Sequence, residues 1–327
     1  SGRDLLHELK CFAEDELSGE ERPGGVSQHT LGQLRRQFPE QKQPVIDGLL
    51  RRGEVCNVVS MSKVGKSWLG YSLALSVITG RAWLGQFPTR RGKVLLIDNE
   101  LHPETLAKRI PDVADAMAIN AAECERDFVV WPLRGTLRSL GELGEQFDRL
   151  GQDEFSVSIL DAKYRFASPD TSENENAAET RVYNLIDKYA ARTGAAFVLI
   201  HHTTKGNQSD KRVTDVGSGA GAQSRAADTH LVLREHEEAG VVVLDAAGRS
   251  FPPIEPRGLR WQFPIWIADE SIEGSRLKAG GKSGAARSEK DAAAERDIVD
   301  ALADGAERSE RELREILAMG KPRLERL

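Results

Sequence analysis

Five short apolar runs, separated by stretches of helical periodicity, restrict the fold of this chain more than any other feature. They are EVCNVVS (54–60), KVLLID (93–98), DFVVWPL (127–133), SVSILDA (156–162) and AAFVLIHH (195–202). Helix-like segments fall between them at about 66–80, 103–117, 138–150 and 175–193. Near-continuous Val, Ile and Leu in a strand means burial on both faces, and strands alternating with helices form parallel sheets. A doubly wound, mostly parallel α/β sheet is therefore expected from Pro44 onward. Two later runs, THLVLRE (229–235) and GVVVLDA (240–246), are joined by the charged stretch HEEA and predict an antiparallel extension at the sheet edge.

Around this main domain (44–270) the composition changes. Residues 1–43 are polar and charged, with one helical piece (Leu5, Leu6, Leu9, Phe12) and a Pro-Gly-Gly break at 23–25, and read as an N-terminal arm. From 271 to 290 the chain is rich in glycine and charge and poor in large apolar residues, the composition of a flexible linker. Helical periodicity resumes over 291–327 through Ile298, Leu302, Leu313, Ile316, Leu317 and Leu324. The segment SERELREIL suits either the start of a winged-helix or helix-turn-helix unit, or a helical hairpin for oligomer contacts.

Composition sets wide bounds. The chain has 327 residues, 39% hydrophobic and 29% charged, and no apolar run approaches the length of a membrane span. Cys11, Cys56 and Cys124 lie far apart, so a disulfide framework or structural zinc site is not expected, and a reducing cytoplasm is. The formal net charge of −6 argues against a surface that coats nucleic acid, without excluding a local basic lining.

The chemistry begins at VVSMSKVGKSW (58–68). A phosphate-binding loop reads G-x-x-x-x-G-K-[ST], and here the final Gly65, Lys66 and Ser67 are in place while Ser60 stands at the first glycine. Strand, tight loop and helix follow in the required order, so that backbone N–H groups and a helix N-terminus face an anion. The binding stretch is then Ser62, Lys63, Val64, Gly65, Lys66, Ser67 and Trp68. Lys66 brings positive charge to the terminal phosphates of ATP, and the Ser67 hydroxyl is a ligand for Mg²⁺. Serine at position 60 is tolerable if its φ stays negative.

Hydrolysis needs further groups, and strand ends supply them. SVSILDA puts Asp161 at the end of an apolar strand, as a second ligand for the Mg²⁺ shell. KVLLIDNE puts Asp98 and Glu100 at the end of another, and ligands gather outside such carboxyl ends. Glu100 is the candidate general base, the alternative being an acid that caps the helix after it; Asp98 reads as structural. At the end of AAFVLIHH, His201 and His202 offer a side chain that could bond the γ-phosphate, His202 preferred.

Taken together the chain resembles the RecA-like ATPases of the plasmid RepA-type hexameric helicase group, relatives of the DnaB-type replicative helicases. The resemblance is carried by VIDGLLRRGEVCNVVSMSKVGKSWL, VLLIDNELHPETLAKRI, VSILDAKYRF, DTSENENAAETRV, VLIHHTTKG and VGSGAGAQSRAADTHLVL, in that order over roughly 44–267. It implies Lys66 and Ser67 on phosphate and Mg²⁺, Asp161 as the Walker B carboxylate, Glu100 as base and His202 as sensor. It also implies an arginine reaching into a neighbouring subunit's nucleotide: Arg249 in LDAAGRSFPP, with Arg225 in AQSRAAD as competitor. An arginine offered in trans makes a ring, a hexamer, the expected assembly.

Loops after the Walker B and sensor strands line the pore in such rings. Here they offer Lys163 and Arg165, then Lys205, Lys211 and Arg212, as contacts to single-stranded DNA. Three functions stay open at this point. The first is an ATP-driven helicase or translocase serving a mobile element, plasmid or phage. The second is a RecA-like ATPase acting as a switch or assembly factor, favoured by the acidic first loop. The third is a DNA-binding adaptor without turnover, which only Ser60 supports.

Overall fold

The computed structural model describes residues 27–61, 63–166, 176–202, Val213, Val216 and 225–278. The chain divides into two units, Ser1–Gln43 and Pro44–Leu327. Within the first, helix α1 (Leu31–Gln37) starts with a capping box: Thr30 Oγ1 accepts from the Gln33 N–H, and Gln33 Oε1 accepts from the Thr30 N–H. Leu31 and Phe38 are exposed.

The second unit opens with a hairpin of β1 (Pro44–Ile46) and β2 (Leu50–Arg51). Then follow β3 (Val55–Ser60), α2 (Lys66–Thr79), β4 (Val94–Asp98), α3 (Pro103–Ala116), α4 (Ala121–Cys124), β5 (Phe128–Pro132), α5 (Gly144–Arg149), β6 (Val157–Asp161), α6 (Asn176–Thr193) and β7 (Ala196–His202). Four strands close the unit: β8 (Thr229–Glu235), β9 (Val241–Gly248), β10 (Ile254–Gln262) and β11 (Ile265–Ala268). One nine-stranded sheet runs in the order β11-β10-β9-β8-β3-β7-β6-β4-β5. Pairs from β8 to β5 are parallel, and those from β8 out to β11 are antiparallel.

Both faces of the sheet are covered. Against one lie α2 and α3, with Leu69, Leu73, Leu75, Val77 and Ile78 in the first core; against the other lie α5 and α6, with Phe147, Tyr183, Ile186 and Phe197 in the second. The sheet is thus the doubly wound one that the apolar runs predicted, each strand needing apolar residues on both sides.

Several details differ from the sequence reading. Every residue of helix α2 from Leu69 to Ile78 is buried, because α3 and β11 cover the parts of its surface that do not face the sheet. Each buried Leu or Ile there contributes about 1.5–3 kcal/mol by leaving water. The helix expected over 138–150 is only Gly144–Arg149. Glu142 draws the Ser139 N–H and Oγ to its carboxylate, a local turn that competes with helix, and Gly141 and Gly144 weaken helix further.

Strands β10 and β11 were not read from the sequence. Pro256 and Gly258 interrupt the strand signal of β10, and the register shifts between Ile254 and Arg257, where a proline can sit. The expected linker start at 271 is also displaced. Through Lys278 the chain bonds back onto the β8–β9 turn, with Glu237 N–H donating to Arg276 O at 3.1 Å and Lys278 N–H to Glu235 O at 2.9 Å. The remainder of the linker and the helical tail lie outside the described residues, as do Ser62 and the loop residues Lys205, Lys211 and Arg212.

Candidate functional site

Strand register gathers the candidate residues at one edge of the sheet. Ser60 at the end of β3 lies opposite His202 of β7, and Asp98 of β4 lies opposite Asp161 of β6. The carboxyl ends of four parallel strands therefore border one cleft of about 710 Å³. Lys63, Val64, Gly65, Lys66, Ser67 and Trp68 line it from the loop side, Glu100, Asp161 and His202 from the strands.

Gly65 caps α2 with φ 84°, a left-handed conformation that favours glycine. Lys66 is almost wholly buried and donates from Nζ to Ser60 O at 3.0 Å, Ser60 Oγ at 3.1 Å and Met61 O at 2.8 Å. Ser60, which breaks the glycine pattern, thus gives its own hydroxyl to the loop lysine. Burial lowers the Lys66 pKa to about 8, with Asp161 and then Glu100 opposing.

Asp161 is buried, and burial with the nearby carboxylates of Asp98 and Glu100 raises its pKa to about 7, against a hydrogen bond from Ser67 and the charge of Lys66. Its Oδ2 has no hydrogen-bond partner among the described residues. A buried carboxylate oxygen without a partner, beside a hydroxyl, fits a divalent cation that takes its other ligands from phosphate and water. No cluster of three or more His, Cys, Asp or Glu suited to a metal occurs among the described residues. A cation here therefore depends on the substrate for much of its shell.

Asp98 Oδ1 accepts from the N–H groups of Glu100 at 2.8 Å and Leu101 at 2.7 Å, fixing the turn that leads to Glu100, while its Oδ2 has no hydrogen-bond partner among the described residues. Glu100 does not cap the next helix, whose N-cap is His102 without a side-chain bond. Instead Glu100 Oε1 lies 4.0 Å from Nε2 of His202. Its pKa is lowered, first by hydrogen bonding with His202, with burial opposing and Tyr164 assisting. On the far side of the imidazole, Nδ1 lies 3.2 Å from the Lys66 amine. His201 points the other way, buried beside Asn57 and Tyr183, and burial holds its pKa far below the ordinary histidine value. Of the histidine pair only His202 reaches the cleft.

Two arginines expected to compete turn out to be neighbours. Arg249 donates from Nη2 to Arg225 O and from its N–H to Asp228 O. Gly248 pairs with Thr229, which pairs with Cys56 at the start of β3, so both arginines sit at the opposite end of the sheet from Ser60. At about 3.3 Å per residue that is roughly 15 Å from the loop. Lys163, expected as a DNA contact, is instead buried, paired with Glu179 of α6 and placed over the Tyr183 ring. The side chain of Arg165 turns back to Asn99 O and Tyr164.

The family model described as an AAA domain, AAA_25, matches residues 21–208, more than half the chain. The chain belongs to this family. Its parallel sheet and its Gly65-Lys66-Ser67 loop are those of a P-loop ATPase domain. The crystal structure of the RadB recombinase is similar at 17% identity and TM-score 0.46, over 64% of this chain and 87% of that one. Among the described residues of the AAA domain and its flanks, no helix is long and apolar enough to cross a membrane.

Sequence reading missed some lining residues altogether. Arg109 rests over the Trp68 ring, its guanidinium carbon 4.8 Å from the centroid. Trp261 and Trp266 reach the cleft from β10 and β11, and His236 from the β8–β9 turn. Tryptophans in an unrecognised hairpin gave no spacing signal, and His236 sat in a stretch read only as a charged connection.

Proposed function

We propose that this chain is a Mg²⁺-dependent ATP-hydrolysing motor of the RepA-type helicase group. It assembles into a ring, a hexamer, and acts on single-stranded DNA as a helicase or translocase for a mobile element, plasmid or phage. The observation that supports hydrolysis best is the chain of contacts Lys66–His202–Glu100 beside the buried Asp161. With Lys66 holding the terminal phosphate, a water between that phosphate and Glu100 is oriented by the carboxylate. Its oxygen bonds to the γ-phosphorus while the bridging oxygen departs with ADP, and its proton passes toward Glu100. Ser67 and Asp161 are the residues that would hold Mg²⁺, which would supply positive charge against that developing on the phosphates. His202 touches both the phosphate-binding lysine and the base, so loss of the γ-phosphate changes its surroundings at once.

Support for assembly comes from Arg249. Lying at the far end of the sheet from its own loop, it can serve a nucleotide only on another subunit.

A second reading, a nucleotide-dependent switch or assembly factor without unwinding, draws on Lys163. With that lysine committed to Glu179, the loop after β6 has one less cation for a phosphate backbone. ATPase rate with and without single-stranded DNA, together with mass in solution plus ATP, separates the two. DNA stimulation with strand separation supports the motor. A change of oligomer size with neither sinks it in favour of the switch.

A further inference from the structure

The cleft is larger than its phosphate end requires, and its other wall carries two buried donors without partners. Trp266 is 7% exposed and His236 6% exposed, and both border the cleft. Trp266 Nε1 has no hydrogen-bond partner among the described residues, nor has His236 Nε2. The indole nitrogen is aimed at the phosphate-binding loop, lying 2.9 Å from where a Cβ on Gly65 would stand. His236 Nδ1 accepts the Glu238 N–H at 3.0 Å, so the proton of the neutral ring sits on Nε2 and that nitrogen is also a donor. A buried donor left unbonded costs on the order of 1–3 kcal/mol, and such groups in a cleft mark where a ligand supplies acceptors.

The wall is held in place. The Trp261 N–H donates to Gly240 O at 2.8 Å, tying β10 to the β8–β9 turn, and the Trp261 and Trp266 rings lie 4.9 Å apart. Gly240 has open space around its missing Cβ, which leaves the mouth clear beside the half-buried Trp261.

We propose that the β8–β9 turn and the β10–β11 hairpin form the nucleoside half of the nucleotide site. Trp266 Nε1 and His236 Nε2 donate to acceptor atoms of the nucleoside, and Trp261 supplies an aromatic face for its base. This rests on the P-loop reading above, and it assigns selection of a nucleoside over bare phosphate to residues outside every phosphate-binding motif.

Calorimetric titration of the full chain with Mg²⁺ tests it, using ATP and inorganic tripolyphosphate as the two ligands. Trp266→Phe, which keeps a ring and removes the donor, should weaken ATP about three- to tenfold and leave tripolyphosphate within about twofold. His236→Phe should do the same, and unchanged tripolyphosphate affinity in each variant shows that the loop is still folded. Equal ATP affinity in wild type and both variants overturns the inference while the P-loop reading stands. Equal losses for both ligands overturn it too, by moving the donors to the phosphates. Wild-type protein that binds neither ligand refutes the P-loop reading, and this inference with it.

Discussion

Nδ1 of His202 lies 3.2 Å from the Lys66 amine. The other ring nitrogen, Nε2, faces Glu100 Oε1 at 4.0 Å. In the proposed mechanism one imidazole thus lies between the base Glu100 and the phosphate-binding Lys66. His202→Ala should keep ATP affinity within about threefold, because the loop and helix N-terminus remain, while turnover falls on the order of 10²-fold. The pH profile gives a second readout. Hydrogen bonding with His202 is the largest cause of the lowered Glu100 pKa, so its loss moves the acid limb of turnover to higher pH. An unmoved acid limb, measured by steady-state kinetics, would remove His202 from that role.

The Lys66 amine gives a second pH effect. Its pKa falls from 10.5 to about 8 because burial disfavours the charged form. Phosphates binding beside it favour that charge and raise the pKa again. Between the two values, binding therefore takes up a proton. ATP affinity should be flat below about pH 7 and weaken as pH rises through about 8, by up to tenfold per unit. Titrations at pH 8.5 in two buffers of different ionisation enthalpy measure the uptake. An absence of proton uptake would mean that the amine is already fully charged in the free protein.

How much of this was legible in the sequence depends on whether neighbours along the chain or across it decide the position. Asp161, Glu100 and His202 sit at or just past the ends of apolar runs, and a parallel sheet places such ends along one edge whatever the loops do. Lys66 and Ser67 join them because the loop motif sets them at the helix start that follows another such end. Lys163 shows the limit: one residue past Ala162 it looks like a loop cation, and only the packing of Glu179 from α6 makes it a buried pair. Trp266 and His236 show it again, since strand β10 contains Pro256 and its pairing through a shifted register has no local signal. The identity of the histidine in the cleft was a question of strand parity, because alternate side chains point to opposite faces.

Asp161 links the site to stability. Its pKa is raised in the fold from 3.8 to about 7, first by burial and then by Asp98 and Glu100. A carboxyl whose folded pKa lies above its unfolded one binds more protons when folded. The stability it contributes is complete below about pH 4 and lost as pH rises through about 7. With no nucleotide or Mg²⁺ added, the melting temperature should therefore decline from pH 5 to pH 8. Asp161→Asn keeps the shape without the buried charge, and should melt at least ~3 °C above wild type at pH 8 while losing stabilisation by Mg²⁺ and ATP. Thermal scans at the two pH values check this. A variant that melts below wild type at pH 8 contradicts it.

The arginine at the far end of the sheet makes the last prediction. Arg249 and Arg225 share a hydrogen bond, and neither lies near the loop of its own chain. If Arg249 acts in trans, Arg249→Ala and Glu100→Gln damage the same chemical site from two different subunits. Each variant alone should retain ATP binding, and each should lose turnover on the order of 10²-fold or more. Mixing and reassembling them gives a different result. An Arg249→Ala subunit brings an intact Glu100 and its Glu100→Gln neighbour brings an intact Arg249, so interfaces of that order are complete. Activity of the mixture should rise well above the mean of the two variants, to about a quarter of wild type at equal proportions if subunits mix at random. A mixture with only the mean of its parts would show that Arg249 does not cross an interface. Repeating the mixture with Arg225→Ala then tells which of the two arginines does.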